Sequence, residues 1–123
     1  MAYRTDRKTA EGLGSGHAGT HHHWQMMISS MALVFVVPIF LVTFSLGFGG
    51  SYEEVIAYFG HPLPAIITAL SLIVVVLHVM NEALVAVEDY VHGVPGYLTQ
   101  VAVKWLAYIL IAVGLFAIAR LAL

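Results

Sequence analysis

The sequence predicts an all-α, integral membrane protein of three transmembrane helices, and two observations predict it. Of its 123 residues, 60% are hydrophobic and 10% charged, with a mean hydropathy of +0.89. A soluble domain this short needs a charged shell around a modest core, so these values mark lipid as the principal solvent. The apolar residues are also gathered into three long stretches separated by short segments rich in glycine and proline. A net charge of -2 and a pI near 6.3 are too mild for a nucleic-acid partner, and none is expected. The chain has no cysteine, which excludes disulfides, a thiolate-held iron–sulfur cluster and covalent c-type haem. Neither a G-x-G-x-x-G string nor a P-loop occurs, so no nucleotide site is legible.

Residues 1–24 read as a polar cytoplasmic arm, and residues 25–123 as a membrane anchor domain. Arg4, Arg7 and Lys8 are followed by a Gly/His-rich stretch holding Gly12, Gly14, Gly16 and Gly19, which reads as flexible chain and not as a cleavable signal peptide. The first span is expected at about 25–48. From Met26 to Phe48 no charged residue appears over 23 positions, and crossing the hydrocarbon core takes about 20. Pro38 falls inside this span, where a kink is expected. A loop with Gly47, Gly49, Gly50, Pro62 and Pro64 follows, and within it Glu53, Glu54 and Tyr58 suggest a short interfacial helix. The second span, about 63–88, carries His78, Asn81 and Glu82; a turn over 89–96 holds Gly93, Pro95 and Gly96 as breakers. The third span, about 97–122, carries Lys104 near its start and Arg120 near its end.

Orientation follows from the basic residues. The arm has three, and the loop after span one has none, so the positive-inside rule predicts N-in and C-out.

Ionisable residues within a span are costly and therefore candidate functional sites. His78 lies roughly 21 Å along span two from Pro64, towards the cytoplasmic side. Neutral imidazole is a good axial ligand for haem iron, and it is equally a side chain that can hydrogen-bond a neighbouring helix; both readings stand. The other histidines (His17, His21, His22, His23, His61 and His92) all fall in the arm, loop or turn, so a bis-histidine haem at His78 requires its second ligand from another chain. At the cytoplasmic mouth of span two, Asp89, Tyr90 and His92 combine carboxylate, phenol and imidazole. Such a group can donate to a quinone carbonyl and bring protons from water; it also fits an aromatic-belt tyrosine beside an ordinary turn. His21, His22 and His23 are adjacent, and three consecutive histidines cannot all face one ion on a regular helix, so a solvated or partner-facing arm is expected there. Met26, Met27 and Met31 are expected to pack. Glu82 lies seven residues before Asp89, and Lys104 seven after Tyr97. That equal depth, about 10 Å below the boundary, leads to the expectation that the two charges pair.

The string His78-x10-Asp89-Tyr90 resembles the H-x10-D-Y motif in the second helix of the small, cytochrome b-type membrane-anchor subunits of succinate dehydrogenase, respiratory complex II. Val91-His92-Gly93 looks like its continuation in mitochondrial members. The strings Gly12-Leu-Gly-Ser-Gly and Gly19-Thr-His-His-His-Trp24 look like the alphaproteobacterial version. The resemblance covers essentially the whole chain, and the span-two motif is its most specific part. It implies that His78 is one axial ligand of a b-type haem (the metal site being that iron), that His21 lies near the haem propionates, and that Tyr90 hydrogen-bonds a ubiquinone carbonyl with Asp89 in support. It further implies four kinds of neighbour: a large cytochrome b anchor subunit that shares the haem, an iron–sulfur subunit, a flavoprotein subunit, and the lipid of a bacterial inner (cytoplasmic) membrane. On this view the chain is not catalytic alone but belongs to a succinate:ubiquinone oxidoreductase of the tricarboxylic acid cycle and electron transport. Two positions depart from the family pattern. Met27 stands where many relatives have an arginine, and Glu82 where many have a glycine four residues after the haem histidine. A fumarate reductase anchor, and a small structural or transport-accessory membrane protein without a redox cofactor, are the alternative readings.

Overall fold

The computed structural model describes residues 5, 6 and 16–123, with side chains at residues 5 and 6 and from 23 onward. Four helices are described between Gly16 and the C-terminus: α1 (Gly16–Gly47), α2 (Tyr52–Gly60), α3 (Pro62–Tyr90) and α4 (Gly93–Ala122). No strand occurs among the described residues. Three stretches are long and apolar enough to cross a membrane: His23–Gly47 within α1, all of α3, and all of α4. At about 1.5 Å per residue, α3 and α4 each run to roughly 45 Å, well beyond a hydrocarbon core of about 30 Å. Their ends therefore reach the headgroup region even with some tilt.

The boundaries differ from the sequence reading in ways that have local causes. Helix α1 begins at Gly16, so nine residues that read as arm are helical; the two glycines among them, Gly16 and Gly19, lower helix propensity without forbidding the helix. The expected turn over 89–96 shrinks to Val91 and His92. Pro95 falls in the first turn of α4, where its missing N–H has no intrahelical partner to lose. Gly93 makes the corner at φ +71, in the left-handed region that favours glycine. Gly96 lets this corner close tightly, since a Cβ there would stand 2.7 Å from the Val91 carbonyl oxygen. Pro38 lies inside α1, and the helix continues through it.

Helix α2 is the short helix expected in the loop, and a capping box starts it. Ser51 Oγ accepts from the Glu54 N–H at 3.3 Å, and Glu54 Oε2 accepts from the Ser51 N–H at 3.1 Å. Tyr58 folds α2 back onto α1 by donating its hydroxyl to the Thr43 carbonyl at 2.7 Å. Gly60 meets the other end of the chain, where a Cβ would lie 2.9 Å from the Leu121 carbonyl oxygen. Thus α2 bridges the ends of α1 and α4 on one side of the bundle.

Helix α3 is the central element, packing on α4 along one face and on α1 along another. The α3–α4 seam holds Met80, Leu84 and Ala107, with Val76, Leu77 and Val103 beside them. Gly114 continues that seam; a side chain there would run into Leu72. Outside these contacts the large apolar residues are exposed, among them Val34, Phe35, Leu70, Trp105 and Phe116. Such outward apolar faces suit lipid or a partner helix, and water would not tolerate them on this scale.

Candidate functional site

Two polar residues of α3, His78 and Glu82, face α1. Ser71, His78 and Val85 recur every seven residues, as do Glu82 and Asp89, and at 3.6 residues per turn these positions share one side of the helix. Met80 and Leu84, which face α4, lie roughly 200° round the helix from His78 and Glu82 respectively, taking about 100° per residue.

His78 is the centre of this side, with its side chain 16% exposed. Its Nδ1 lies 2.9 Å from Ser29 Oγ on α1, within hydrogen-bond distance. Ser29 Oγ is also 3.0 Å from the Met26 carbonyl, to which Ser30 Oγ donates as well, at 2.9 Å. The other ring nitrogen has no hydrogen-bond partner among the described residues. Its nearest polar neighbour is Glu82 Oε1 at 3.8 Å, one helical turn on, beyond hydrogen-bond range. Glu82 itself is 60% exposed and so can swing aside.

Beside this pair lies an open cleft of about 640 Å³ between α1 and α3, walled by His23, Met26, Met27, Ser30 and Met31 on one side and Glu82 and Val85 on the other. Its size falls in the range of small-molecule and cofactor sites. His78 is not itself part of that wall, but the donor set beside it fits a haem iron: an imidazole bonded at Nδ1, with no hydrogen bond at Nε2 among the described residues. The methionines expected to pack thus line the hollow instead of filling a core. The side chain of His21 lies outside the described residues, and His23 is exposed at the cleft's rim.

The expected Glu82–Lys104 pair does not form. The depths agree, but the faces do not. Glu82 is on the α1 side of α3, whereas Lys104 follows Val103 round onto an exposed flank of α4. Equal depth on neighbouring helices brings two side chains together only when both point into the shared seam.

About 18 Å along α3 from His78, Tyr90 is the last residue of the helix and 87% exposed; Asp89 beside it is also exposed. His92 is separated from them. It joins Glu88, Tyr97 and Gln100 around a polar hollow of about 210 Å³ at the α3–α4 corner, to whose wall neither Asp89 nor Tyr90 contributes. The structure therefore brings together His78, Glu82 and Ser29, and leaves the Asp89–Tyr90 end of α3 facing outward. Ser29 is the residue that sequence reasoning missed. A serine one turn from a methionine run carries no signal until the partner helix is seen.

Residues 1–119 match the family described as the succinate dehydrogenase/fumarate reductase transmembrane subunit. The chain is 40% identical over 123 residues to a succinate dehydrogenase hydrophobic membrane anchor subunit from Paracoccus denitrificans, a match covering 100% of this chain and 95% of that protein. No solved structure matches it. With three helices fit to span a membrane and a family match along nearly its whole length, the chain is a multi-pass membrane anchor subunit belonging to the succinate dehydrogenase/fumarate reductase transmembrane subunit family.

Proposed function

We propose that this subunit anchors a succinate:ubiquinone oxidoreductase in the bacterial inner membrane, N-terminus inside, and that it holds a b-type haem through His78 and contributes Tyr90 and Asp89 to the ubiquinone site. The observation that carries the reading is the state of His78: half-buried within a span, within hydrogen-bond distance of Ser29 at Nδ1 and without a hydrogen bond at Nε2 among the described residues, next to a cofactor-sized cleft that its neighbour Glu82 helps to wall. The haem, when bound, supplies a one-electron carrier within the membrane. A second ligand to the iron is proposed to come from a partner chain. The large cytochrome b anchor subunit is the proposed source. The flavoprotein and iron–sulfur subunits are proposed to dock on the cytoplasmic side, consistent with the absence of cysteine and of a nucleotide motif here.

At the cytoplasmic mouth, the Tyr90 phenol donates a hydrogen bond to a quinone carbonyl oxygen, and the Asp89 carboxylate orients a water or passes a proton towards it. Because Tyr90 is so exposed, the remaining walls of that site come from the neighbouring chains. The haem assignment is tested by His78→Ala in the assembled complex. Loss or strong perturbation of the dithionite-reduced b-type spectrum is expected, since one axial imidazole is gone. An unchanged low-spin spectrum assigns the ligand elsewhere.

A further inference from the structure

We infer that Ser29 is the positioning residue for the His78 imidazole: its hydroxyl accepts the Nδ1–H and thereby fixes the tautomer and ring plane that present Nε2 to iron. The inference rests on His78 being the ligand and adds a residue from span one to a site read from span two. A histidine that binds metal through Nε2 carries its only ring hydrogen on Nδ1, so whatever faces Nδ1 has to accept. Ser29 Oγ faces it at 2.9 Å. A hydroxyl can accept there without stranding its own hydrogen only if that hydrogen has another acceptor, and the Met26 carbonyl provides one at 3.0 Å. A methionine or alanine at this place would leave the Nδ1–H unpartnered inside a span, where water is not at hand to replace the bond. A lysine or arginine would offer a donor to a donor.

The bond joins two helices. It links α1 to α3 at the level of the ligand and beside the Met26–Met31 wall of the cleft, so the ring cannot rotate without breaking the α1 contact. Acceptance at Nδ1 also raises the basicity of Nε2, which favours the ferric iron over the ferrous. Ser29 therefore sets both the occupancy and the potential of the haem.

The test compares Ser29→Thr, Ser29→Val and Ser29→Ala in the purified complex with all its subunits, and reads haem content per flavin, the midpoint potential by optical redox titration, and the reduced spectrum. Threonine and valine share a shape and differ by the hydroxyl, so the contrast between them separates the hydrogen bond from packing. Ser29→Thr is expected to stay near wild type. Ser29→Val and Ser29→Ala are expected to shift the potential upward and to lose haem more readily, by roughly 10-fold or more in affinity. If valine and threonine give the same potential and haem content while His78→Ala removes the haem signal, Ser29 is a packing residue and the inference fails alone. If His78→Ala leaves the haem intact, the ligand reading itself fails and takes Ser29 with it.

Discussion

Tyr90 ends α3 with its phenol exposed, and its proposed role depends on that one oxygen. Tyr90→Phe keeps the ring and removes only the hydroxyl, so assembly and haem content are expected to survive. Quinone reduction is expected to slow by a factor on the order of 10²–10³, the effect of removing a donor aimed at charge developing on a reacting oxygen. Succinate-to-ubiquinone activity should fall while succinate-to-phenazine dye activity in the same preparation does not. A parallel fall of both activities points to damaged assembly, and no fall in either leaves Tyr90 as an interfacial aromatic. At His78, the two uses of a membrane histidine that stood open in the sequence do not exclude each other, since they would employ different atoms. Nδ1 bonds the neighbouring helix, and the proposed haem would take Nε2. The motif spacing located the histidine, but the hydroxyl at its back is 49 positions away in sequence and belongs to a helix whose rotation no local pattern fixes.

Among the elements, the three spans were readable because each is a long, predominantly apolar run set off by glycine and proline, a signal that depends only on composition. Helix α2 was half-readable. Its Ser51-x-x-Glu54 capping box is a sequence signature, yet nothing in the sequence says that the helix then folds back over α1. That fold rests on a tyrosine hydroxyl and a glycine. Tyr58 donates to the Thr43 carbonyl, and its ring lies where a side chain at Gly47 would have to go. Gly47→Ala is therefore expected to push the Tyr58 ring aside and to destabilise the bundle by about 1–3 kcal/mol, as overpacking of a tight contact does. Tyr58→Phe is the milder companion, expected to cost about 1 kcal/mol for the lost hydrogen bond. Unfolding of the detergent-solubilised complex, followed by loss of helical circular dichroism, ranks the two. A Gly47→Ala protein as stable as wild type would mean that α2 does not hold this position. The failed Glu82–Lys104 pairing has the same origin as the unread return of α2. Depth along a helix can be counted from residues, whereas the face a residue presents depends on how neighbouring helices are rotated, and only packing determines that.

For the molecule as a whole, three crossings put the start of α1 and the end of α4 on opposite sides of the membrane, and the packing agrees. The Val91–His92 corner closes one end of the bundle, while α2 lies against Leu121 at the other. Which end is inside is a separate matter, decided by charge. Arg4, Arg7 and Lys8 precede α1, and Lys104 lies nearer the Val91–His92 end of α4; Arg120 alone belongs to the other end, in the last turn of α4. Glu53 and Glu54 on α2, and Glu88 and Asp89 at the corner, add acid to both ends and weigh little in this balance. Four basic residues against one predict the N-terminus and the corner inside, with α2 and Leu123 outside. The same orientation sets Tyr90 and Asp89 on the cytoplasmic side, where protons and peripheral electron-carrying subunits can reach a quinone, so the proposed function depends on it. Alkaline phosphatase folds to its active form only outside the cytoplasm. Fused after Leu123 it is expected to be active, and inserted between Val91 and His92, with the C-terminal fusion absent, it is expected to be inactive. The reverse pattern, an inactive terminal fusion and an active corner fusion, would invert the molecule. It would also move the Tyr90 end away from the cytoplasm, and the quinone reading would have to be abandoned even if the haem at His78 survived.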